Sequence, residues 1–429
     1  MTQRARAYRR VPPDYAVPRT MTALRLHGPG MDNLRFDEVP TPVPGPGQLL
    51  GRVDACIACA SDNKIIDQGS EHTLMYGWDL SAHPVPIGHE GCITVVARGP
   101  GLPPEYALGA RFAIQPAVSS PPRHHRDRYR DHARGVEKIA IGYTLDGLFA
   151  EYVLITEEII ENGCLLPLPD PAMPYFAAAL AEPLSCVVSA QQHSVHLLKD
   201  SPREPRRPHL GLKPGGIVVV LGAGPMGRMH VEVALTYRPA KIIVSEPIAA
   251  RLDKLRRDLE AKARRWGVAL HCTDPGHLNS VLAGESGGRG ADDVIVALGV
   301  RKVQEQSLSL LAPGGVANFF GGLRAGDHII AVDARRIHYD SISAVGSSGG
   351  DPSDVAAALS LLADGSIEAG NYIAAVGGML AARDLIAAVR AQAIDGKGVI
   401  YPQARGALHE VDSWDASAEN EFLDRHLPA

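Results

Sequence analysis

Two cysteines three residues apart, Cys56 and Cys59 in ACIACASDNK (55–64), stand at a spacing that metal sites and redox thiols both use. A zinc ribbon needs a second such pair, and the remaining cysteines, at 92, 164, 186 and 272, are too scattered to form one. Thirty residues beyond Cys59, the stretch PIGHEGCITVV brings His89 and Glu90. The helical metalloprotease motif needs a second histidine four residues after the first, and position 93 is Ile, so that chemistry is excluded. A thiolate, an imidazole and a carboxylate from separated segments instead suit a Zn²⁺ ion with an open coordination position. Glu182, in LAEPLS, is a further carboxylate candidate. Each residue also has a plainer reading. Cys59 can be a small buried hydrophobe, His89 a hydrogen-bonded turn residue, Glu90 a solvated strand-end charge, and Glu182 a helix-end carboxylate before Pro183.

A second constellation suits a phosphate-bearing ligand. Gly222-Ala223-Gly224-Pro225-Met226-Gly227 fits G-x-G-x-x-G, follows the apolar run Ile217–Leu221 and opens a helical segment. Such glycines permit a tight turn, close approach of backbone to a pyrophosphate, and close helix–strand packing, with the helix N-terminus facing the anion. No Gly-Lys-Ser/Thr follows, so the loop is not a P-loop. The next apolar run ends at Glu246, 24 residues after Gly222, where a carboxylate can accept hydrogen bonds from the adenosine ribose and repel a 2′-phosphate. NAD is therefore favoured over NADP, although Arg251, five residues on, is placed to reach the adenine side.

The elements around these residues divide the chain. Residues 21–55, 86–115 and 147–155 read as short strands joined by Pro/Gly turns, a β-rich and partly closed domain. FAAALAEPLSCVVSAQQHSV then carries helical periodicity. IVVVLGAGPMGRMHVEVALTYRPAKIIVSEP reads strand–helix–strand, the βαβ unit of a parallel sheet, and DDVIVALG and GGVANFFGG supply more buried strands. The expected organisation is an N-terminal arm (1–20), a catalytic domain (21–188 and 343–429), and an inserted dinucleotide-binding domain (189–342).

These motifs in this order resemble the zinc-dependent medium-chain dehydrogenases, the alcohol and polyol dehydrogenase family, over about residues 21–403. CIACASD, PIGHEGCITVV, LDGLFAEYVLI, AEPLSC, GAGPMG and GKGVIYP carry the resemblance, which is nearest to the sorbitol dehydrogenase and sorbose-phosphate reductase branches. It implies an α/β fold: a GroES-like β-rich catalytic domain with an inserted Rossmann doubly wound parallel-sheet domain, and zinc in the cleft between them. By the same resemblance Cys59 and His89 are zinc ligands and Cys56 is not. Glu90 and Glu182 are the carboxylates of which either or both touch the ion. Asp62 orients the ligand histidine, and Ser61 hydrogen-bonds the substrate hydroxyl. Lys64 occupies the place of a proton-relay histidine, either handing a proton to solvent or merely sitting at the surface. The four-cysteine cluster of a structural zinc is missing from AVSSPPRHHRDRYRDHARG, so one catalytic ion and no structural zinc is the expectation. His124, His125 and His132 read there as a solvated basic loop.

Composition fits this picture. The 429 residues are 45% apolar and 21% charged, with a net charge of −5, which argues against a nucleic-acid or membrane-surface binder. No run approaches the roughly 18 apolar residues of a membrane span. The sparse cysteines suit a reducing cytoplasm, and the Arg/Pro-rich start, without an apolar core, suits a mobile arm rather than a secretory signal or an arm packed on a neighbouring subunit. The expected reaction is hydride transfer between NAD and a secondary alcohol of a polyol or sugar, phosphorylated or not, by a homodimer or homotetramer. A phosphorylated substrate would need basic residues, and loop 123–134 is the evident source. Alternatives are a biosynthetic dehydrogenase of a cyclitol or other specialised alcohol, a zinc-free quinone-reductase-like enzyme, and a non-catalytic binding protein. The polar stretch 199–210 reads as an inserted loop without an assigned role.

Overall fold

The computed structural model describes residues 3–428, in two compact units. One runs up to Glu182 and resumes at Asp351; the other is Pro183–Gly350. In the first unit an eight-stranded sheet follows the order Leu165–Pro167, Arg111–Ile114, Glu90–Arg98, Leu49–Ile57, Lys397–Tyr401, Ile373–Gly378 and His409–Glu410, with Tyr152–Ile155 also pairing with Leu49–Ile57. Every residue of Leu49–Ile57 is buried, as a strand with neighbours on both sides requires. Its antiparallel register sets Ile57 opposite Glu90 on one side and opposite Val399 on the other. The chain just past Ile57, the start of the Glu90 strand and the start of the Lys397 strand are thereby brought together.

The arm is not mobile. Gln3–Tyr8 forms a helix packed against the helix Ala416–His426 of the same unit, with the Ala5 amide donating to Asp424 Oδ1 at 2.8 Å. The Tyr8 hydroxyl donates to Asp54 at 2.9 Å, and the Arg52 guanidinium lies 3.8 Å from the centre of its ring. An Arg-rich sequence thus docks because a buried Arg52–Asp54 pair needs an aromatic, hydrogen-bonding lid. Residues 1 and 2 lie outside the described residues.

The second unit holds a six-stranded, wholly parallel sheet in the order Ala269–Thr273, Lys241–Ser245, Ile217–Leu221, Ala291–Val296, Leu311–Phe319, Ser343–Val345. By sequence this is 3-2-1-4-5-6, the doubly wound order whose reversal falls beside the first strand, where the glycine loop begins. Buried helices flank it, among them Pro225–Thr236. The stretch around 199–210 is a hairpin, with Val195–Leu198 antiparallel to Arg207–Leu210. The helix of the AEPLS segment is continuous, Tyr175–Gln192, with Pro183 inside it. Glu182 therefore sits mid-helix instead of ending one.

Adjacent aspartates pin the first parallel strand. Asp292 accepts from Lys213 Nζ (2.8 Å), Arg289 (2.8 and 3.0 Å) and the Ile217 amide (2.9 Å), and Asp293 accepts from His196 (2.8 Å). Burial works against the Asp292 charge, but Arg289, Lys213 and the Ile217 amide outweigh it and hold its pKa well below the usual carboxylate range. A depressed carboxylate contributes stability that is present above its unfolded pKa of about 4 and is lost as pH falls through the folded value. Asp292→Asn should therefore lower stability at pH 7, and the loss relative to wild type should shrink as urea midpoints are measured from about pH 5 downward. An equal deficit at all pH values would show that the charge of Asp292 is not what it contributes.

Candidate active site

The short helix Ala60–Gln68 starts one residue past Cys59, so Cys59 caps it. Asp62, buried in its first turn, reaches back to the Cys59 amide with Oδ2 at 2.8 Å and places Oδ1 3.1 Å from His89 Nδ1. One carboxylate thus closes the helix end and fixes the imidazole, turning Nε2 toward Cys59. Ser61 Oγ stands 3.0 Å from Cys59 Sγ and 3.2 Å from His89 Nε2. Gly88 delivers His89 at φ +96°; a Cβ there would fall 2.6 Å from Phe149 and 3.0 Å from Cys56 Sγ. Cys56 itself is wholly buried in the sheet and all six cysteines are unbridged.

Cys59, His89 and Glu90 offer ligand atoms that all lie within 4.8 Å of one another. Glu182 is outside that tight group but near enough for the Glu90 charge to act on it: burial first, then Glu90, pushes its pKa upward. The sequence reading missed Lys397, whose ammonium bonds both Glu90 oxygens at 2.8 Å in a buried pair. Burial opposes the charge on Lys397, and Glu90 more than restores it. Its signal lay in GKGVIYP, 307 residues from Glu90. Tyr143 was missed too. Its ring stands 5.8 Å from that of His89 and 5.2 Å from that of His72, and its hydroxyl lies near enough to Ser61 to be influenced by it. Lys64 is exposed, and its charge, after burial, lowers the pKa of His72.

The donor chemistry tests whether a dication fits here. Cys59, His89 and Glu90 supply a sulfur, an imidazole and a carboxylate within 4.8 Å of one another, Glu182 stands near, and His89 faces Asp62 with Nδ1, which leaves Nε2 on the Cys59 side. The donor set fits zinc.

Loop 123–134 does not serve this group. Arg123 pairs with Glu161, His124 with Glu157 at 2.9 Å and Arg130 with Glu71 at 2.8 Å, while Arg128 lies over Trp78. These pairings occupy Arg123, His124, Arg128 and Arg130, while Arg126 and Arg134 of the same loop are exposed.

In the second unit each glycine has its reason. Gly222 turns at φ +102°, a Cβ on Gly227 would lie 2.1 Å from the Gly222 carbonyl, and Gly224 opens onto space with nothing within 4 Å. Pro225 and Met226 start the helix, Pro225 in the first position that needs no amide. Glu246, just past its strand, accepts from the Ala223 amide (2.8 Å) and the Ile248 amide (3.0 Å), so it holds the glycine loop. Arg251 lies 3.8 Å from Glu246 instead of standing alone at the adenine side. A cavity of about 360 Å³ beside Glu246 is lined by Leu252, Thr273, Asp274 and His277, at the strand ends where an adenosine belongs.

Comparison with known proteins adds the family. Residues 45–170 match the alcohol dehydrogenase GroES-like domain and residues 225–364 match the zinc-binding dehydrogenase family. The chain belongs to the zinc-type medium-chain dehydrogenases. It falls in their sorbitol and sorbose-phosphate reductase branch. L-Sorbose 1-phosphate reductase of Klebsiella pneumoniae is 29% identical over 368 residues, covering 85% of this chain and 84% of that one. Mannitol-1-phosphate 5-dehydrogenase of Aliivibrio fischeri is 29% identical over 392 residues, covering 89% and 87%. A solved zinc-binding dehydrogenase of Sinorhizobium meliloti 1021 bound to NADP superimposes with a TM-score of 0.68 at 26% identity, over 89% of this chain and 99% of that one. The dehydrogenase is thus an NAD(P)-dependent alcohol oxidoreductase acting on a small-molecule alcohol, and the quinone-reductase and non-catalytic alternatives fall away. Among the described residues no helix is long and apolar enough to cross a membrane.

Gly227→Ala forces its methyl against the Gly222 carbonyl, so the loop must open. Cofactor titration by fluorescence should show at least about a 100-fold loss of affinity with the metal content unchanged. Unaltered binding would mean that the cofactor does not use this loop.

Proposed function

We propose that the protein is a zinc- and NAD-dependent dehydrogenase that interconverts a secondary alcohol of a polyol or sugar, best in its phosphorylated form, with the matching ketone. The observation that carries the zinc reading is the donor set: Cys59, His89 and Glu90 offer ligand atoms within 4.8 Å of one another, with the buried Glu182 close enough to feel the Glu90 charge and the ammonium of Lys397 bonded to Glu90. Cys59 and His89 are assigned as the fixed ligands, and Glu90 and Glu182 share the remaining protein position, Lys397 competing for Glu90. Zinc, when bound, supplies a Lewis acid that eases loss of the substrate hydroxyl proton, and the nicotinamide takes the hydride.

The chain's own groups do the rest. Ser61, within reach of both Cys59 Sγ and His89 Nε2, stands where a substrate oxygen approaches the ligand atoms and relays its proton, passing its own hydroxyl proton on to solvent as it accepts the substrate's. Tyr143, beside Ser61 and packed against His72, lies next to this step, and Lys64 is exposed. Asp62 keeps His89 aimed. NAD is favoured because Glu246 places a buried carboxylate where a 2′-phosphate would lie, and Arg251 directs its charge to Glu246. The preference for a phosphorylated substrate rests on the printed activities of the two relatives.

Freshly purified protein should hold zinc and lose turnover to a chelator. Cys59→Ala should cut kcat by about 10⁴-fold or more while NAD binding survives. Full activity without bound metal would sink the zinc reading. In a panel of polyols, cyclitols and their phosphates offered with NAD and NADP, kcat/KM should peak for a polyol phosphate with NAD. A cyclitol optimum would move the enzyme to a biosynthetic role, and an NADP optimum would remove the role given to Glu246.

A further inference from the structure

The loop expected to be a solvated basic turn holds a second group of metal-type side chains. His124, from that loop, and Glu157 and Glu158, from the helix Glu157–Glu161, offer ligand atoms within 4.8 Å of one another. His124 Nε2 is 2.9 Å from Glu157 Oε2, which also accepts from Gln48 Nε2 at 3.0 Å. Gln48 is itself fixed by the Gly45 amide on its Oε1 at 2.9 Å, so the support behind Glu157 is already built. Glu158 accepts the Arg123 amide on Oε1 at 2.8 Å. Its other oxygen, Oε2, is buried and has no partner, although Glu158 is only 1% exposed.

A second unmet group adjoins it. Thr156 caps this helix by position, but its hydroxyl makes no capping bond; it too is buried and without a partner. Thr156, Glu158, His124 and Gln48 line one side of a cavity of about 380 Å³, ample for an ion and its waters. Arg25 and Arg128 line the same cavity, each with a partner of its own: Arg25 pairs with Asp37 at 3.2 Å, and Arg128 lies over the Trp78 ring. Glu158 Oε2 and the Thr156 hydroxyl, both buried and without a partner, belong to residues at this cavity, and two such oxygens beside His124 and Glu157 suit a cation.

We propose that His124, Glu157 and Glu158 bind a second divalent cation, of the class that takes one imidazole with carboxylate oxygens, zinc or manganese, and that this ion staples loop 123–134 to the helix Glu157–Glu161. The ion takes the place of the proton between His124 Nε2 and Glu157 Oε2, the ring staying neutral with its proton on Nδ1 and giving up a proton to solvent only where it starts as imidazolium, and Glu158 Oε2 gains its missing partner. Cavity waters complete the coordination. No thiolate takes part, so the site is chemically distinct from the Cys59 group and binds more weakly than a cysteine-rich centre.

The experiment uses the full chain in which Cys59 and His89 are both replaced by Ala, so that an ion at the Cys59 group no longer contributes. Titrated with Zn²⁺, Mn²⁺ and Co²⁺, this variant should bind one ion per chain. The Co²⁺ form should show visible bands without the near-ultraviolet thiolate band. Adding His124→Ala, which alters an exposed side chain, or Glu158→Gln, which keeps the shape of a buried one, should weaken that binding by more than about 10-fold. In otherwise wild-type protein, His124→Ala should reduce zinc from two ions per chain to one without changing turnover. The proposal is overturned if the double variant binds none of the three ions, if binding is undiminished by both added substitutions, or if wild type and His124→Ala hold equal zinc.

Discussion

The catalytic unit is organised around acidic side chains held out of water. Glu90, Glu182 and Asp62 are buried near one another, with Cys59 at their edge, beside a strand buried along its whole length. Such a group is tolerable only where cations answer it, because an isolated buried charge costs several kcal/mol even after relaxation. Lys397 is the cation that the fold itself supplies, bonding Glu90 through both oxygens. Removing one partner of such a pair typically costs about 3–5 kcal/mol, so the ammonium is part of the architecture as much as of the chemistry.

Geometry follows from strand register. Ile57 opposite Glu90 determines that the residues just beyond one strand meet those just before the other, which is why Cys59 and His89 converge. Asp62 then converts proximity into orientation, since the same carboxylate closes the helix and faces the imidazole. In the second unit Glu246 also serves the backbone: it braces the glycine turn through the Ala223 amide. In both units one acidic side chain fixes the backbone beside the candidate site.

Much of this was legible from residue order. The glycine loop, its preceding strand Ile217–Leu221 and the cysteine, histidine and glutamates of the metal group are local patterns, and local patterns survive translation into structure. What was not legible depends on long-range pairing. Lys397 has no local signature, and only the pairing of its strand with Leu49–Ile57 brings it to Glu90. Tyr143 and His72 reach Ser61 and His89 through loops. The arm was misread because its composition is that of a tail, whereas Tyr8 is selected by the buried Arg52–Asp54 pair. The helical reading of FAAALAEPLSCVVSAQQHSV holds through Pro183, and only the plainer alternative of Glu182 as a helix-end carboxylate falls away; loop 123–134 is largely exposed, as a solvated loop should be, although His124 reaches Glu157.

The separation of Glu90 from Lys397 also bears on how the molecule is made. The nucleotide unit is a single uninterrupted stretch, Pro183–Gly350, and can close as soon as it leaves the ribosome. The catalytic unit cannot, because its central sheet has a vacancy beside Leu49–Ile57 until Lys397–Tyr401 is synthesised. At roughly 5–20 residues per second, Glu90 waits about 15–60 s for its ammonium. Through that interval the nascent sheet carries an open edge and an unanswered charge, and a metal captured early by Cys59 and His89 would steady it before the chain's last strands arrive.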